Sequence, residues 1–493
     1  MKLRPLFFLA ALLSASPAAL AAPATQQEAQ RLTALLKAMM GEDADILSLT
    51  ANGDHYEVKL DLNALQKKAE PSSPIIVPPL LLKLEDQGAG KWQADLAAPY
   101  EFSGKEAKDG KETEGAVRVG GFSLSGTFDQ SLGAFAAAKG NVSDVSFSIK
   151  ETGAGSKLNN FSFLMKDMAL DMNSGLTQPL AELADARFHF ALSGMSGDAD
   201  LPPDNKMPDG IKFSFKLDSI SRTLTLKGMR TGALVKLIDL AKTMQGKENE
   251  DAARVGAAKL MRESLPLFDT ASFGSTLYGL KVVTPFGDAG LTSMISDLTV
   301  NGIESKGRAQ LIAALSGLTL PSGMPQEILP KLAVELMPQA MSIDISVTDY
   351  DLAAPTAMLL DHLEKTKDEP SPEMEKLLLA ALLPSGEVTI TLAPGSYRSP
   401  ALTVGYEGKM AAGPEKMPFG QSVISAKGLD QVIELIKAAP KELELENGIY
   451  GILAAKGFGK VSEDGTVTWK IETTREGAVM VNGVTMPGTG GAN

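Results

Sequence analysis

The 493-residue chain holds three histidines and no cysteine, so metal, nucleophilic and acid–base chemistry has few places to start. His55 follows an Asn52-Gly53 pair, His189 lies in the apolar run RFHFAL, and His362 lies in LLDHLEK. No two of them stand at the short spacing on which paired zinc ligands depend. Asp361 and Glu364 stand one and two positions from His362, and residues that close do not share a helix face. Each histidine therefore reads as a structural or solvated side chain.

Oxygen ligands of the kind calcium takes are clustered at Glu42, Asp43 and Asp45, at Glu248 to Asp251, and at Asp198 to Asp204. None follows the order of an EF-hand loop, and Pro202 and Pro203 interrupt the last, so all three read as solvated loop charge. The chain has no Gly-x-Ser-x-Gly elbow, no Walker-type phosphate loop and no Gly-x-Gly-x-x-Gly after a strand. Serine chemistry would have to use one of the three histidines or a lysine base. Glycoside hydrolysis by paired carboxylates needs a geometry that sequence does not display. With only Trp92 and Trp469, the chain also lacks the aromatic platforms that sugars favour. Asn141-Val142-Ser143 has the form of a glycosylation acceptor, which carries no meaning in a bacterial protein. No catalytic, cofactor-binding or metal-binding residue is assigned, no cofactor is expected, and a non-enzymatic protein is the leading expectation.

Composition narrows the setting. Lys2 and Arg4, the run LFFLAALLSA and the ending Ala19-Leu20-Ala21 are the basic, apolar and small-residue parts of a signal peptide over 1–21. Cleavage is expected after Ala21, because a site one residue later would place Pro23 directly after the cut. The apolar run is shorter than a bilayer-spanning helix requires, and no later segment reaches that length without charges. An exported mature chain without a transmembrane segment follows. Absence of cysteine removes lipidated cysteine, disulfides and thiolate metal sites, and together with export it points to the periplasm.

The 47 basic and 60 acidic residues give −13, and losing Lys2 and Arg4 with the signal takes this to −15. Such a surface repels phosphate backbones, so nucleic acid is not expected as a partner. Aromatic residues make up 5%, against 21 methionines. Methionine fills irregular apolar space, and its abundance hints at a surface that adapts to a lipid-like ligand.

The elements that must position any site divide at about residue 230. Ala29, Leu32, Leu35, Leu36 and Met39 mark one face of a helix over 26–40, closed by Gly41. From about 44 to 225, short alternating runs and Gly-bearing turns predict an antiparallel meander, with turns at Asn52-Gly53 and near Asp109-Gly110. A helical turn is expected over 174–185, and a polar, Pro-rich loop over 197–210. The second half repeats one theme three times: a short apolar helix, a charged break, a second helix, then strands. The copies start at Leu234, Met358 and Val432, and their unequal separations exclude a fixed-period solenoid. KGRAQLIAALSGL (306–318) is expected to add a helix, and LPKLAVELMPQA a shorter one weakened by Pro330 and Pro338. Helices this short are marginal alone and need a sheet to lie on.

The fold class expected is α+β: a large curved antiparallel β-sheet, either an open meander or groove or a filled sandwich, with helical hairpins packed on it. The domains expected are 22–230, a helix plus meander, and 231–493, helix pairs plus β-hairpins. One continuous sheet shared by both is left open.

GLDQVIELIKAAP, a second helix and the strands TVTWKIETT and AVMVNGVTMP, with Asn482-Gly483 near the end, resemble the close of the bacterial periplasmic proteins of domain of unknown function family 2125. The N-terminal order of signal peptide, helix and LLLKLEDQGAGKWQADLAAPYEFSG is similar too. The ending also resembles the YdgA-like envelope proteins, which keep an uncleaved anchor. The resemblance implies a β-rich envelope protein and brings no catalytic residues. Three functions remain: a periplasmic protein binding a lipid or other hydrophobic ligand in a β-sheet groove, a structural protein with a filled core that meets an envelope protein partner, or a hydrolase of unrecognised type.

Overall fold

A computed structural model describes residues 23–31, 33, 46–61, 63–64, 79–108, 111–129, 134–153, 158–173, 184–203, 210–230, 250–323, 330–414, 416–440 and 445–486. The expected signal peptide, most of the expected 26–40 helix, most of the expected 174–185 turn, the expected first helix from Leu234 and the expected Asp109-Gly110 turn lie outside the described residues. The chain is mostly antiparallel strand in open sheet, and it divides into two units, Met1–Val235 with Val282–Pro285 and Lys236–Lys281 with Phe286–Asn493.

In the first unit, helical residues 26–31 precede nine described strands. These are β1 (Leu47–Asn52), β2 (His55–Leu60), β3 (Leu80–Gly88), β4 (Lys91–Lys108), β5 (Lys111–Asp129), β6 (Ala134–Gly153), β7 (Asn160–Asn173), β8 (Ala184–Leu201) and β9 (Ile211–Met229). Each pairs antiparallel with the next. The Asn52-Gly53 turn forms as expected, with Gly53 at φ 64 and Asn52 paired to His55. The strands are longer than the short runs the sequence suggests: β6 has 20 residues, and β4 runs straight through Pro99. Pro99 is accommodated because the β4–β5 register shifts between Ala98 and Tyr100, leaving proline at a bulge where no ladder donor is needed. The expected 197–210 loop is correspondingly shorter, since β8 continues to Leu201.

A crease crosses β5 to β9. In β5 the exposed positions are even-numbered up to Gly120 and odd-numbered from Ser123; in β6 they change from odd (Ala137, Lys139, Asn141) to even (Asp144, Ser148, Lys150). Pairing stays in step on both sides, so Gly120, Asp144, Lys166, Gly194 and Asp218 fall in one row. Each strand carries one extra residue there, as a bulge does, and the apolar residues of both halves keep to one face. The row Phe122–Val142–Met168–Leu192–Ile220 is thus followed on the same side by Val119–Val145–Met165–Met195–Leu217. Asp144 and Gly194 take positive φ of 52 and 60. Glycine faces a larger neighbour at two points of the row. A Cβ on Gly120 would lie 2.9 Å from that of Asp144, and one on Gly194 would lie 2.7 Å from that of Lys166.

The core of this unit gathers at β1 to β5. Leu49, Tyr56, Val58, Leu82, Leu84, Trp92, Ala94, Leu96 and Phe128 are buried together with Ala29 of the helical segment. Trp92 is 2% exposed and lies 6.0 Å, ring to ring, from Tyr56.

The second unit holds α1 (Glu250–Ser264), β10 (Thr270–Thr284) as far as Lys281, β11 (Gly287–Asn301), β12 (Gly307–Ser316), α2 (Lys331–Leu336), β13 (Ala340–Tyr350), α3 (Ala353–Lys365), α4 (Pro372–Leu382), β14 (Val388–Arg398), β15 (Thr403–Gly413) and β16 (Lys416–Lys427). It continues with α5 (Leu429–Lys437), α6 (Glu446–Phe458), β17 (Lys460–Val461), β18 (Val467–Thr473), β19 (Val479–Val481) and β20 (Val484–Thr485). Strands β11 to β16 pair in sequence, followed by β18, β19 and β20, while β17 pairs with β18.

The second helix pair forms where its local signals lie. Ser371 caps α4 by accepting from the Met374 N–H at 3.3 Å, Pro372 opens the helix, and Glu373 and Glu375 sit in its first turn. Each of these choices favours a helix N-terminus. The charged break between α3 and α4 is exposed at Lys367, Asp368 and Glu369. Arg262 of α1 bonds Asp361 at 2.6 Å and Glu364 at 3.1 Å on α3, so the helices of the first and second copies are tied together. In the third copy, Lys456 of α6 bonds Asp430 of α5 at 2.6 Å.

One expected helix is overturned: residues 307–316 of KGRAQLIAALSGL form β12. Its Ala-rich composition favours a helix in isolation. Pairing along both edges, to β11 and β13, outweighs that local preference.

Asp464 and Gly465 form a turn, with Gly465 at φ 80. The Asp464 carboxylate accepts from the Ser462 hydroxyl at 2.6 Å, the Thr466 N–H at 3.1 Å, Lys427 at 3.1 Å and the Thr466 hydroxyl at 2.9 Å. These bonds, led by that from Ser462, hold its pKa far below the ordinary value. A carboxyl depressed by folding stabilises above its unfolded pKa, and the effect is lost as pH falls through the folded pKa. In an NMR titration Asp464 is expected to stay ionised well below the ordinary carboxyl range, and Asp464→Asn to remove the acid-dependent loosening of this hairpin. An ordinary carboxyl titration at Asp464 would refute this.

Candidate functional site

The structure does not assemble the three histidines. His55 is on β2 and His189 on β8, six strands apart in the same unit, and His362 is on α3 of the other unit. His55 Nδ1 lies 2.8 Å from Asp54, and this bond lowers the Asp54 pKa. His362 Nε2 lies 2.8 Å from the Asp368 carbonyl oxygen, so it fastens the α3–α4 break.

His189 has the most suggestive surroundings, because the registers place Asp171, His189 and Thr223 in a row across β7, β8 and β9. Its Nδ1 lies 2.9 Å from the Thr223 hydroxyl, yet no hydrogen bond joins it to Asp171 among the described residues. The neighbouring backbone N–H groups belong to strand ladders and do not converge on a point where an oxyanion would form. Row and residue types resemble a triad, but among the described residues no hydrogen bond sets the His189 ring against the Asp171 carboxylate.

Among the described residues no group of three or more His, Cys, Asp or Glu could hold a metal ion. Of the acidic clusters, Glu42, Asp43, Asp45, Asp204 and Glu248 lie outside the described residues. Asp198 and Asp200 lie within β8 rather than in a loop, and Asn141 to Ser143 lie inside β6. Asp198 accepts from Ser162 at 3.3 Å, and Asp200 pairs with Lys212 at 3.3 Å.

What the second unit does assemble is an amphipathic sheet. Side chains alternate between faces along a strand, so the registers define rows that run across the sheet. One row reads Val300–Ala309–Val347–Ile390–Met410–Gly420–Thr473, and another Leu298–Leu311–Ile345–Leu392–Gly408–Ser422–Ile471. Farther along the same face runs Met294–Leu315–Met341–Tyr397–Val404–Ala426–Val467. The opposite face carries Thr299–Gln310–Ser346–Thr391–Lys409–Gln421–Glu472, with Ile295, Ile312, Phe419 and Val423 among its apolar exceptions.

Cover over the apolar face is uneven. At β18 it is closed: Val467 is 1% exposed, and Trp469 Nε1 donates to the Ala455 carbonyl of α6 at 2.6 Å. Tyr397 donates its hydroxyl to the Leu336 carbonyl at the end of α2. At β11 and β12 the face is open, with Met294, Leu298 and Leu311 exposed by 47%, 44% and 40%. Large apolar side chains exposed side by side at this level are typical of interaction surfaces.

Two glycines fit tyrosines across the strands. Gly307 lies under the Tyr350 ring and Gly395 under that of Tyr406, whose hydroxyl donates to the Ser342 carbonyl at 2.7 Å. Burial raises the pKa of both tyrosines.

No protein-family profile, no curated protein and no solved structure matches the chain.

Proposed function

We propose that the protein is a non-enzymatic, exported envelope protein that holds a lipid or other apolar ligand against the open part of the second unit's apolar face. The observation that carries this reading is the continuity of apolar rows across β11 to β14, with Met294, Leu298 and Leu311 left exposed at one end. An extended acyl chain laid along such rows removes apolar area from water without asking for a polar partner. Helices α2 and α6 act as the cover at the closed end. The leader-like residues 1–21, the absence of cysteine and the layout resembling family 2125 support a periplasmic location. No helix among the described residues is long and apolar enough to cross a membrane.

Native mass spectrometry of the full protein purified gently from the periplasm tests this. The expected result is adduct mass that organic solvent extracts as lipid and that the double substitution Leu298→Asp with Leu311→Asp reduces at least tenfold. Apo protein alone, or adducts retained by the double variant, would sink the reading.

A further inference from the structure

The second unit carries a depression of about 320 Å³ at the β14–β16 end, lined by Thr389, Lys409, Ala411, Phe419 and Gln421 of the polar face and completed by Met410 and Gly420. Thr389, Lys409 and Gln421 stand on neighbouring strands of that face, with Ala411 and Phe419 paired directly beside them. None of the three polar side chains makes a hydrogen bond or ion pair with another of the described residues. None of the described lining residues is a carboxylate, although the chain carries −13 overall. The Arg475 guanidinium lies 4.1 Å from the centroid of the Phe419 ring, and its charge is matched by Glu387 at 3.1 Å. Among the described lining residues Lys409 is therefore the one cation, with two neutral groups able to donate beside it and the apolar Ala411 and Phe419 next to them.

We infer that this depression binds a small monoanionic amphiphile, a carboxylate head on Lys409 with Thr389 and Gln421 donating to it and an apolar tail against Ala411 and Phe419. A single negative charge matches Lys409, the one cation among the described lining residues; a dianionic phosphate would leave one charge unmatched. The volume accommodates about ten water-sized groups, the size of a medium-length chain rather than a phospholipid. Its polar and charged lining residues are on the opposite face from the apolar rows, so it does not depend on the lipid reading.

Calorimetric titration of the full protein with decanoate, decanol and decyl phosphate tests the inference. Decanoate is expected to bind at one site, to weaken as salt rises, and to lose at least tenfold in affinity in Lys409→Gln. Decanol is expected to bind at least tenfold more weakly and equally in both proteins, and decyl phosphate more weakly than decanoate. Ala411→Leu, which fills the floor and leaves the charge, is expected to weaken decanoate to a similar degree, with circular dichroism confirming the fold of each variant. Absence of decanoate binding, equal binding by Lys409→Gln, or preference for decyl phosphate overturns the inference. Loss of extractable lipid in the Leu298 and Leu311 double variant, with decanoate binding intact, separates this depression from the apolar face.

Discussion

Trp92→Ala is expected to destabilise the first unit by about 3–5 kcal/mol, the range for truncating a large buried aromatic. The residue is nearly fully buried, is paired with Phe128 on β5, and sits among Leu84, Tyr56 and Ala94 where β1 to β5 close their core. Trp92→Phe is expected to cost less than half as much. It keeps most of the volume and removes an indole N–H that is buried without a hydrogen-bond partner among the described residues. Only two tryptophans exist, Trp92 in the first unit and Trp469 in the second, so the variants at Trp92 leave Trp469 as reporter of the second unit alone. Denaturant titration followed by far-ultraviolet circular dichroism and by Trp469 fluorescence is expected to show the first transition moving and the second holding. A shift below about 0.5 kcal/mol for Trp92→Ala would show that this cluster is not the unit's core.

Gly395→Ala is expected to cost about 2–3 kcal/mol in the second unit, at the upper end for overpacking. An added Cβ would run into the Tyr406 ring and lie 2.8 Å from the Ser342 carbonyl oxygen, which is backbone and does not rotate away. Tyr406 also loses the position from which its hydroxyl reaches that same oxygen. Pairing Gly395→Ala with Tyr406→Ala is expected to recover part of the loss, because the space and the obstacle change together. Additive losses in the double variant, measured by Trp469 fluorescence during denaturation, would disprove the coupling.

Features written in a few adjacent residues were legible in the sequence. Asn52-Gly53 acts through local backbone conformation, so its position carried over. The helix read at 306–318 failed because β12 owes its conformation to β11 and β13, which local propensity does not register. The apolar face was hidden for the same reason: Leu311 meets Leu298 and Ile345, both distant in the sequence, and only the pairing reveals that they share a row. Histidines and acidic clusters drew the search because they are rare or conspicuous. Lys409 gave no signal, since one lysine in an alternating strand reads as solvent-facing until Thr389 and Gln421 are brought beside it. Around Gly120, Asp144 and Gly194 the alternation slips by one, which in a linear reading marks the end of a strand rather than a point within it.

That slip also bears on how this chain can change over generations. Removing a codon at Lys166 alone would shift half of β7 by one position against two neighbours that kept theirs, turning Met165, Phe163 and Phe161 toward water. The same holds for an insertion in any one of the five strands. Length changes are therefore confined to the loops, or must occur in five strands together. A row of single residues makes β5 to β9 inherit their length as a block.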